Sequence, residues 1–346
     1  GLDSSSVVCG LKKVMDYKKS FKDVKSEGLS LTFPELDCDE KKSILEFSNL
    51  IGPDHINLNF HNHESIDIDT ALQQIATSCA VPNTIIGFAY NDLFKLANKN
   101  DISTVFGGWG ADDWLGAHPC IYKDAYKNSS ELLIMKRFIY DVNRLGFRYA
   151  SQIHKSYLIK PMLKDILKKL KIRRNDSDSL KCSNYTVQSK YDWLNSGMFA
   201  QNAELQERAL SLYGLEGRYP YNDRRIVEFG FSLDPIHYMK YPMSKPVIRE
   251  GLKKICYETN KHRFSDPEGS PIYWKSLKKI FDQGKYKLDT LVDTLSLTAD
   301  YTGTLTKDTL ADDKYIAYKH TCMARNLGNA FTMNQWLEAH SCDKLE

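Results

Sequence analysis

Segments of alternating apolar positions and segments of helically spaced ones take turns along the first third of the chain. Ser4 to Tyr17 carries its apolar residues at helical spacing, with Asp3 or Ser4 placed to cap the helix. Leu29–Phe33 (LSLTF) is a short apolar strand. A helical run from Asp39 to Ile51 follows and stops at Gly52-Pro53. His55–Phe60 (HINLNF) alternates as a strand does, and helical patterns cover Ala71–Ala80 and Thr84–Asn98. Ile102–Phe106 (ISTVF) is a further strand, running straight into Gly107-Gly108-Trp109-Gly110. Strands separated by connections of helix length predict an α/β fold, a parallel twisted sheet with helices on both faces. Ligands of such sheets bind in the loops at the C-terminal strand ends.

From about Lys123 the pattern turns helical and less regular. Residues 1–125 are therefore expected to form the α/β part and 126–346 a mainly helical remainder. Within the latter, KKLKIRRNDSDS (168–179) reads as a solvated loop and 314–340 as helix.

Composition narrows the picture by exclusion. The 346 residues are 42% hydrophobic and 26% charged, an ordinary globular mix. A net charge of +3 is too small to argue for a nucleic-acid surface. No apolar stretch approaches the length of a membrane span, and the start is not a signal peptide. Eight cysteines are scattered without a C-x-x-C pair, which predicts reduced thiols and a cytoplasmic protein. The Asn-x-Ser/Thr triplets at Asn128 and Asn184 read as chance matches.

Two short stretches carry candidate chemistry. GLDSSSVV (1–8) is a glycine turn entering a helix, whose backbone N–H groups and serine hydroxyls suit phosphate. FGGWGADDWLG (106–116) follows a strand with the same small-then-acidic pattern. Taken singly, each is equally well explained as a capped turn. Taken together, two strand-end loops carrying Asp3 and Asp112 can grip one Mg²⁺, which would offset a nucleotide's phosphate charge.

GLDSSSVV resembles the end of the S-G-G-x-D-S-S pyrophosphate loop of the ATP-pyrophosphatase superfamily, as found in asparagine synthetases. GGWGADDWLG resembles that family's S-G-E-G-x-D-E-h-x-G-G loop, and YGLEGRYPYNDRRIVEF (213–229) its G-h-E-x-R-x-P-F-L-D segment. SKPVIREGL (244–252) resembles K-x-h-L-R, and KHRFSD (261–266) resembles K-x-x-F-S-D. These stretches occur in the family's order. The resemblance implies an adenine nucleotide α-hydrolase-like fold in which 1–125 binds nucleotide and the helical remainder returns to the site at about 204–266. It also implies that the strand before Gly1 and an N-terminal glutaminase-like domain are missing upstream.

The activity implied is an AMP-forming carbon–nitrogen ligase: ATP adenylates a carboxylate, pyrophosphate leaves, and an amine attacks the acyl-adenylate. By the same resemblance Asp3 and Asp112 would hold Mg²⁺, and Gly1, Ser4, Ser5, Gly107 and Gly108 would line the nucleotide's phosphates. Phe33 would contact adenine, while Lys245 and Lys261 would neutralise charge on the α-phosphate and on pyrophosphate.

Four departures from asparagine synthetase shape the expectation. The family's ammonia-serving glutamate is Trp109, an indole that cannot accept a proton but can line a wider pocket for a bulky amine. F-L-D is Tyr221-Asn222-Asp223, and the stretch from Arg249 to Lys261 is short. TFPELDCDEKK (32–42) and QWLEAH (335–340) look more like the lasso-peptide macrolactam synthetases, relatives of β-lactam synthetase. The expected substrate is then a peptide whose carboxylate and amine are joined, with a leader-peptide protease as partner. Glu204 is the candidate base, although Glu204 and Glu207 also read as plain surface charge. His61 and His63 read as polar loop. Plain asparagine synthetase and a non-catalytic nucleotide-binding relative are the alternatives.

Overall fold

β1 (Glu27–Thr32) and β2 (Asn57–Asn62) run parallel, in register from Glu27 opposite Asn57 to Thr32 opposite Asn62. This is the pairing expected of strands joined by a helical crossover. The computed structural model describes residues 1–18, 24, 26–32, 39–51, 57–62, 90–116, 118–128, 130–169, 182–239 and 245–253. The chain divides into two compact units. One comprises Gly1–Val24, Val105–Ala203 and Gly217–Asp266; the other comprises Lys25–Thr104, Glu204–Glu216 and Pro267–Glu346.

The second unit holds the parallel pair. Between its strands, α2 (Lys41–Ile51), which follows α1 (Leu2–Tyr17) in the chain, buries Ile44, Phe47 and Ile51, one stripe at spacings of three and four. α3 (Asn91–Lys99) buries Leu93 and Ala97 and ends where Asp101 takes φ 58°, a left-handed turn that a short polar side chain tolerates. The Asn100 amide donates to the Glu27 carboxylate at 2.7 Å and ties that helix end to β1.

In the first unit, α1 (Leu2–Tyr17) buries Leu2, Val7 and Cys9. It starts earlier than the sequence pattern suggested, with Gly1 rather than Asp3 or Ser4 as the N-cap. The Ser4 and Ser5 hydroxyls both donate back to the Gly1 carbonyl, at 3.1 and 2.9 Å, so this turn is already helical. Asp3 thereby falls in the first turn, where the helix dipole favours a carboxylate.

β3 (Thr104–Phe106) delivers the chain to the glycine loop and pairs with β4 (Glu216–Arg218), the Gly107 N–H donating to the Arg218 carbonyl at 2.9 Å. Next come α4 (Ala111–Leu115), α5 (Ile121–Lys127), α6 (Glu131–Leu145) and α7 (Phe147–His154). A π-helical turn at Lys155–Ile159 leads into α8 (Lys160–Lys169). Their core gathers Ile121, Tyr122, Ala125, Leu158 and Tyr238. α9 (Tyr185–Leu194) is capped by Asn184, which accepts from the Val187 N–H at 2.8 Å, and the buried Asp124 accepts from the backbone of Tyr185 and Thr186 at 2.8 and 2.9 Å.

Among the described residues the remaining α-helices are α10 (Gly197–Ser211), α11 (Arg224–Ser232) and α12 (Pro246–Leu252). The fold is α/β, as the strand–helix alternation implied, with a small parallel sheet and helices predominating. The helical patterns at 71–80 and 314–340 lie outside the described residues. Among the described residues, no helix is long and apolar enough to cross a membrane.

Candidate functional site

Glycine is what lets the two acidic loops meet. A Cβ on Gly108 would lie 2.7 Å from the Ser4 nitrogen and 2.8 Å from Asp3 Cβ, so only glycine allows the second loop to rest on the first turn of α1. Gly110 takes φ 96°, turning the chain into α4 so that Asp112 and Asp113 stand in its first turn. Ser5 N–H to the Gly1 carbonyl, 3.1 Å, is the first helical bond of α1. The N–H groups of that first turn therefore point out of the helix end, toward where an anion is favoured.

Lys245 joins the two loops. It is the N-cap of α12, 7% exposed, and Pro246 starts the helix behind it. Its ammonium lies 2.6 Å from Asp3 Oδ2 and 2.9 Å from Asp112 Oδ1. The backbone of Lys245 sits at φ 49°, a left-handed conformation that costs energy for a lysine. Three residues distant in sequence, from three of the resembling stretches, thus converge on one point. Asp113 lies beside them; burial, and then the charges of Asp112 and Asp3, push its carboxyl up to about 6. Sequence reasoning passed over Asp113, though the doubled acid was its signal.

The donor set fits a divalent cation of the hard class. Two carboxylates face one cationic group, and oxygen ligands suit Mg²⁺. Among the described residues no cluster of three His, Cys, Asp or Glu side chains could hold a metal.

Trp109 lies in an aromatic cluster rather than alone. Its ring stacks on Phe199 of α10 (centroids 5.4 Å, 23° between planes) and meets Tyr219 edge-on at 5.3 Å. Tyr219 in turn crowds Gly107, where a Cβ would come within 3.0 Å of its ring. Neither Phe199 nor Tyr219 was a candidate from the sequence.

Tyr221-Asn222-Asp223, which departs from F-L-D, has three structural tasks. The Tyr221 hydroxyl hydrogen-bonds with the Ser6 hydroxyl on α1. The Asn222 side-chain oxygen Oδ1 accepts from the Trp114 indole N–H at 2.8 Å, locking α4. Asp223 caps α11 through the Arg225 N–H and pairs with the Arg225 guanidinium, which holds its carboxyl down at about 2.

A second buried lysine supports α4 from behind. Lys190, 4% exposed, donates to the Trp114 and Gly230 carbonyls at 2.7 Å each and to the Tyr238 hydroxyl. Burial lowers its pKa to about 7.

Glu204 is exposed and pairs with Arg208 one helical turn on, at 2.6 Å. It belongs to the second compact unit, while Asp3, Asp112, Lys245 and Trp109 belong to the first. Phe33 and Lys261 lie outside the described residues.

Comparison with known proteins points one way. The family model described as Asparagine synthase matches residues 1–336. No curated protein matches the chain.

Proposed function

From the premise that the chain belongs to the asparagine synthase family, we propose that it is an AMP-forming amide ligase that closes a macrolactam on a peptide. The family match supports an ATP-dependent ligase that forms amides by adenylating a carboxylate. The observation that carries the site is the convergence of Asp3, Asp112 and Lys245 between the glycine loops.

Asp3 and Asp112 would hold Mg²⁺, which supplies neutralisation of phosphate charge. The N-terminus of α1, with Gly1, Ser4 and Ser5, orients the departing pyrophosphate, and Gly107 and Gly108 let it approach the backbone. Lys245 offsets charge that builds on the phosphoryl oxygens as the carboxylate oxygen bonds to the α-phosphorus and the bond to pyrophosphate breaks. Lys261 is assigned to the same work by its motif alone. The amine then forms a bond to the acyl carbon, the bond to AMP breaks, and the ammonium proton passes to solvent or a base.

Trp109 favours a bulky amine. A ring packed on Phe199 and Tyr219 offers ammonia neither a carboxylate nor a hydrogen-bond acceptor. Two assays test this reading. With ammonium, ATP and aspartate, little asparagine is expected; efficient asparagine formation would restore the plain synthetase. With ATP and a linear peptide encoded beside the gene, mass spectrometry should show loss of one water and release of AMP. A product unchanged in mass across such peptides refutes the macrolactam.

A further inference from the structure

We propose that α8 and the turn before it form a docking surface for an anionic lipid bilayer, which the protein meets peripherally and without crossing it. The inference does not depend on the ligase reading above.

One side of this helix faces the protein's own core. Leu158 belongs to the cluster around Tyr122 and Tyr238, and Met162 packs against that cluster. The neighbouring edge carries large aliphatic residues that the fold leaves in water. Ile159, Leu163 and Ile166, spaced by four and three, fall along that edge and are 47, 52 and 46% exposed. Aliphatic residues exposed singly are ordinary, but three in line on one helix mark a contact surface.

Charge says what that surface meets. Residues 155–169 hold five lysines against one aspartate, a surplus of four that exceeds the net +3 of the whole chain. Lys155 and Lys160 are exposed. The positions of Lys160, Lys164 and Lys168 recur every fourth residue, a basic row along the aliphatic edge. Such a pairing suits a helix lying in the interface of a bilayer. The aliphatic side chains enter the acyl boundary, while lysine stems lie along it and keep their ammoniums at the headgroups. An anionic leaflet attracts each lysine near its surface. A fluid bilayer also accepts a convex helix edge as it stands, where a protein partner would need a groove cut to it. α6 supplies the contrast. Leu132, Met135 and Ile139 are exposed on it too, but its three basic residues stand against Glu131 and Asp141, and Arg137 is paired with Asp141.

The test is flotation of the full chain with vesicles of phosphatidylcholine alone and of phosphatidylcholine with an equal part of phosphatidylglycerol. The protein should bind the anionic vesicles, more weakly as salt is raised, and leave the neutral ones. Lys155→Gln with Lys160→Gln, and separately Leu163→Ser with Ile166→Ser, should each lower the partition coefficient by roughly tenfold or more. All four side chains are exposed, so the fold should survive, and circular dichroism checks it. Equal binding to the two vesicles, no binding to the anionic ones, or binding that neither pair of substitutions weakens overturns the proposal. So does self-association in sedimentation velocity, without vesicle binding, that Leu163→Ser with Ile166→Ser abolishes; the edge would then belong to a second copy of the chain.

Discussion

Lys190 and Lys245 are both lysines inside the same compact unit, 4% and 7% exposed, yet their surroundings have opposite character. Lys245 faces two carboxylates. Lys190 faces two backbone carbonyls and a tyrosine hydroxyl, and its ring contact is the face of Tyr238 at 4.2 Å. Paired charges let an ammonium trade one anion for another. Neutral acceptors leave the cost of desolvation standing, which is why burial brings Lys190 down to about 7. The first arrangement is suited to chemistry with anions. The second ties the end of α4 to α11 and thereby fixes the helix on which Asp112 and Asp113 stand.

The largest effects should come from breaking the charged side of this contrast. Asp3→Asn with Asp112→Asn, or Lys245→Met alone, should lower ATP–pyrophosphate exchange by roughly a hundredfold or more, the scale of losing one preorganised charge contact. Far-ultraviolet circular dichroism should stay at the parent level. Exchange at the parent rate in the double aspartate variant would place the nucleotide elsewhere.

Breaking the neutral side should cost stability instead. Lys190→Met strands two buried carbonyls, although the Tyr238 hydroxyl can still donate to one of them, at 3.0 Å to Gly230 or 3.2 Å to Trp114. The expected loss is about 1–2 kcal/mol in urea denaturation, with exchange per folded molecule nearly unchanged. A hundredfold loss of exchange without loss of stability would make Lys190 a participant in the chemistry.

The two sites should also differ in how stability follows pH. Lys190 binds its proton less tightly folded, at about 7, than unfolded, at 10.5. The penalty is fully present below about pH 7 and is relieved as pH rises toward 10.5, so stability should climb across that window. Asp113 works in the other direction. Its folded value of about 6 lies above the ordinary 3.8, so the stability it contributes is present below 3.8 and lost as pH rises through 6. Lys190→Met should remove the rise in the alkaline window, and Asp113→Asn the fall in the acidic one, in thermal melts across pH. Unaltered profiles would mean that the charges of these groups do not change on folding.

Local pattern made the described strands of the first third legible. The strands LSLTF, HINLNF and ISTVF appear as β1, β2 and β3 within two residues at each end, and the helix expected over 39–51 runs from Lys41 to Ile51. β4 was not legible, because Glu216-Gly217-Arg218 carries no apolar alternation and owes its pairing to a partner far back in the chain. The charged part of the site was legible because acids after glycines carry their own pattern. Its aromatic neighbours were not: Phe199 and Tyr219 reach Trp109 only through tertiary packing. Lys190 was the least legible of all, since a lysine in a helical run reads as solvated surface until the fold covers it.

The smallest effect is expected at Glu204, and it sharpens the contrast by supplying a charge with neither role. Its carboxylate meets Arg208 at 2.6 Å, with side chains 60% and 46% exposed and one helical turn apart. A pair so exposed is screened by water and salt, and such i, i+4 pairs contribute about 0.3–0.5 kcal/mol. Glu204→Gln should therefore leave stability within that margin and turnover within about twofold, because an ion pair of this size has little to pass on. A base that takes the amine proton would behave differently, since removing general base catalysis typically costs about 10²–10⁴-fold. The distinguishing readout is the pH profile of the proposed peptide cyclisation rather than its rate at one pH. Were Glu204 the base, Glu204→Gln would lose the acidic limb along with the rate. An unchanged profile assigns the proton to solvent or another group, and leaves Glu204 as surface charge.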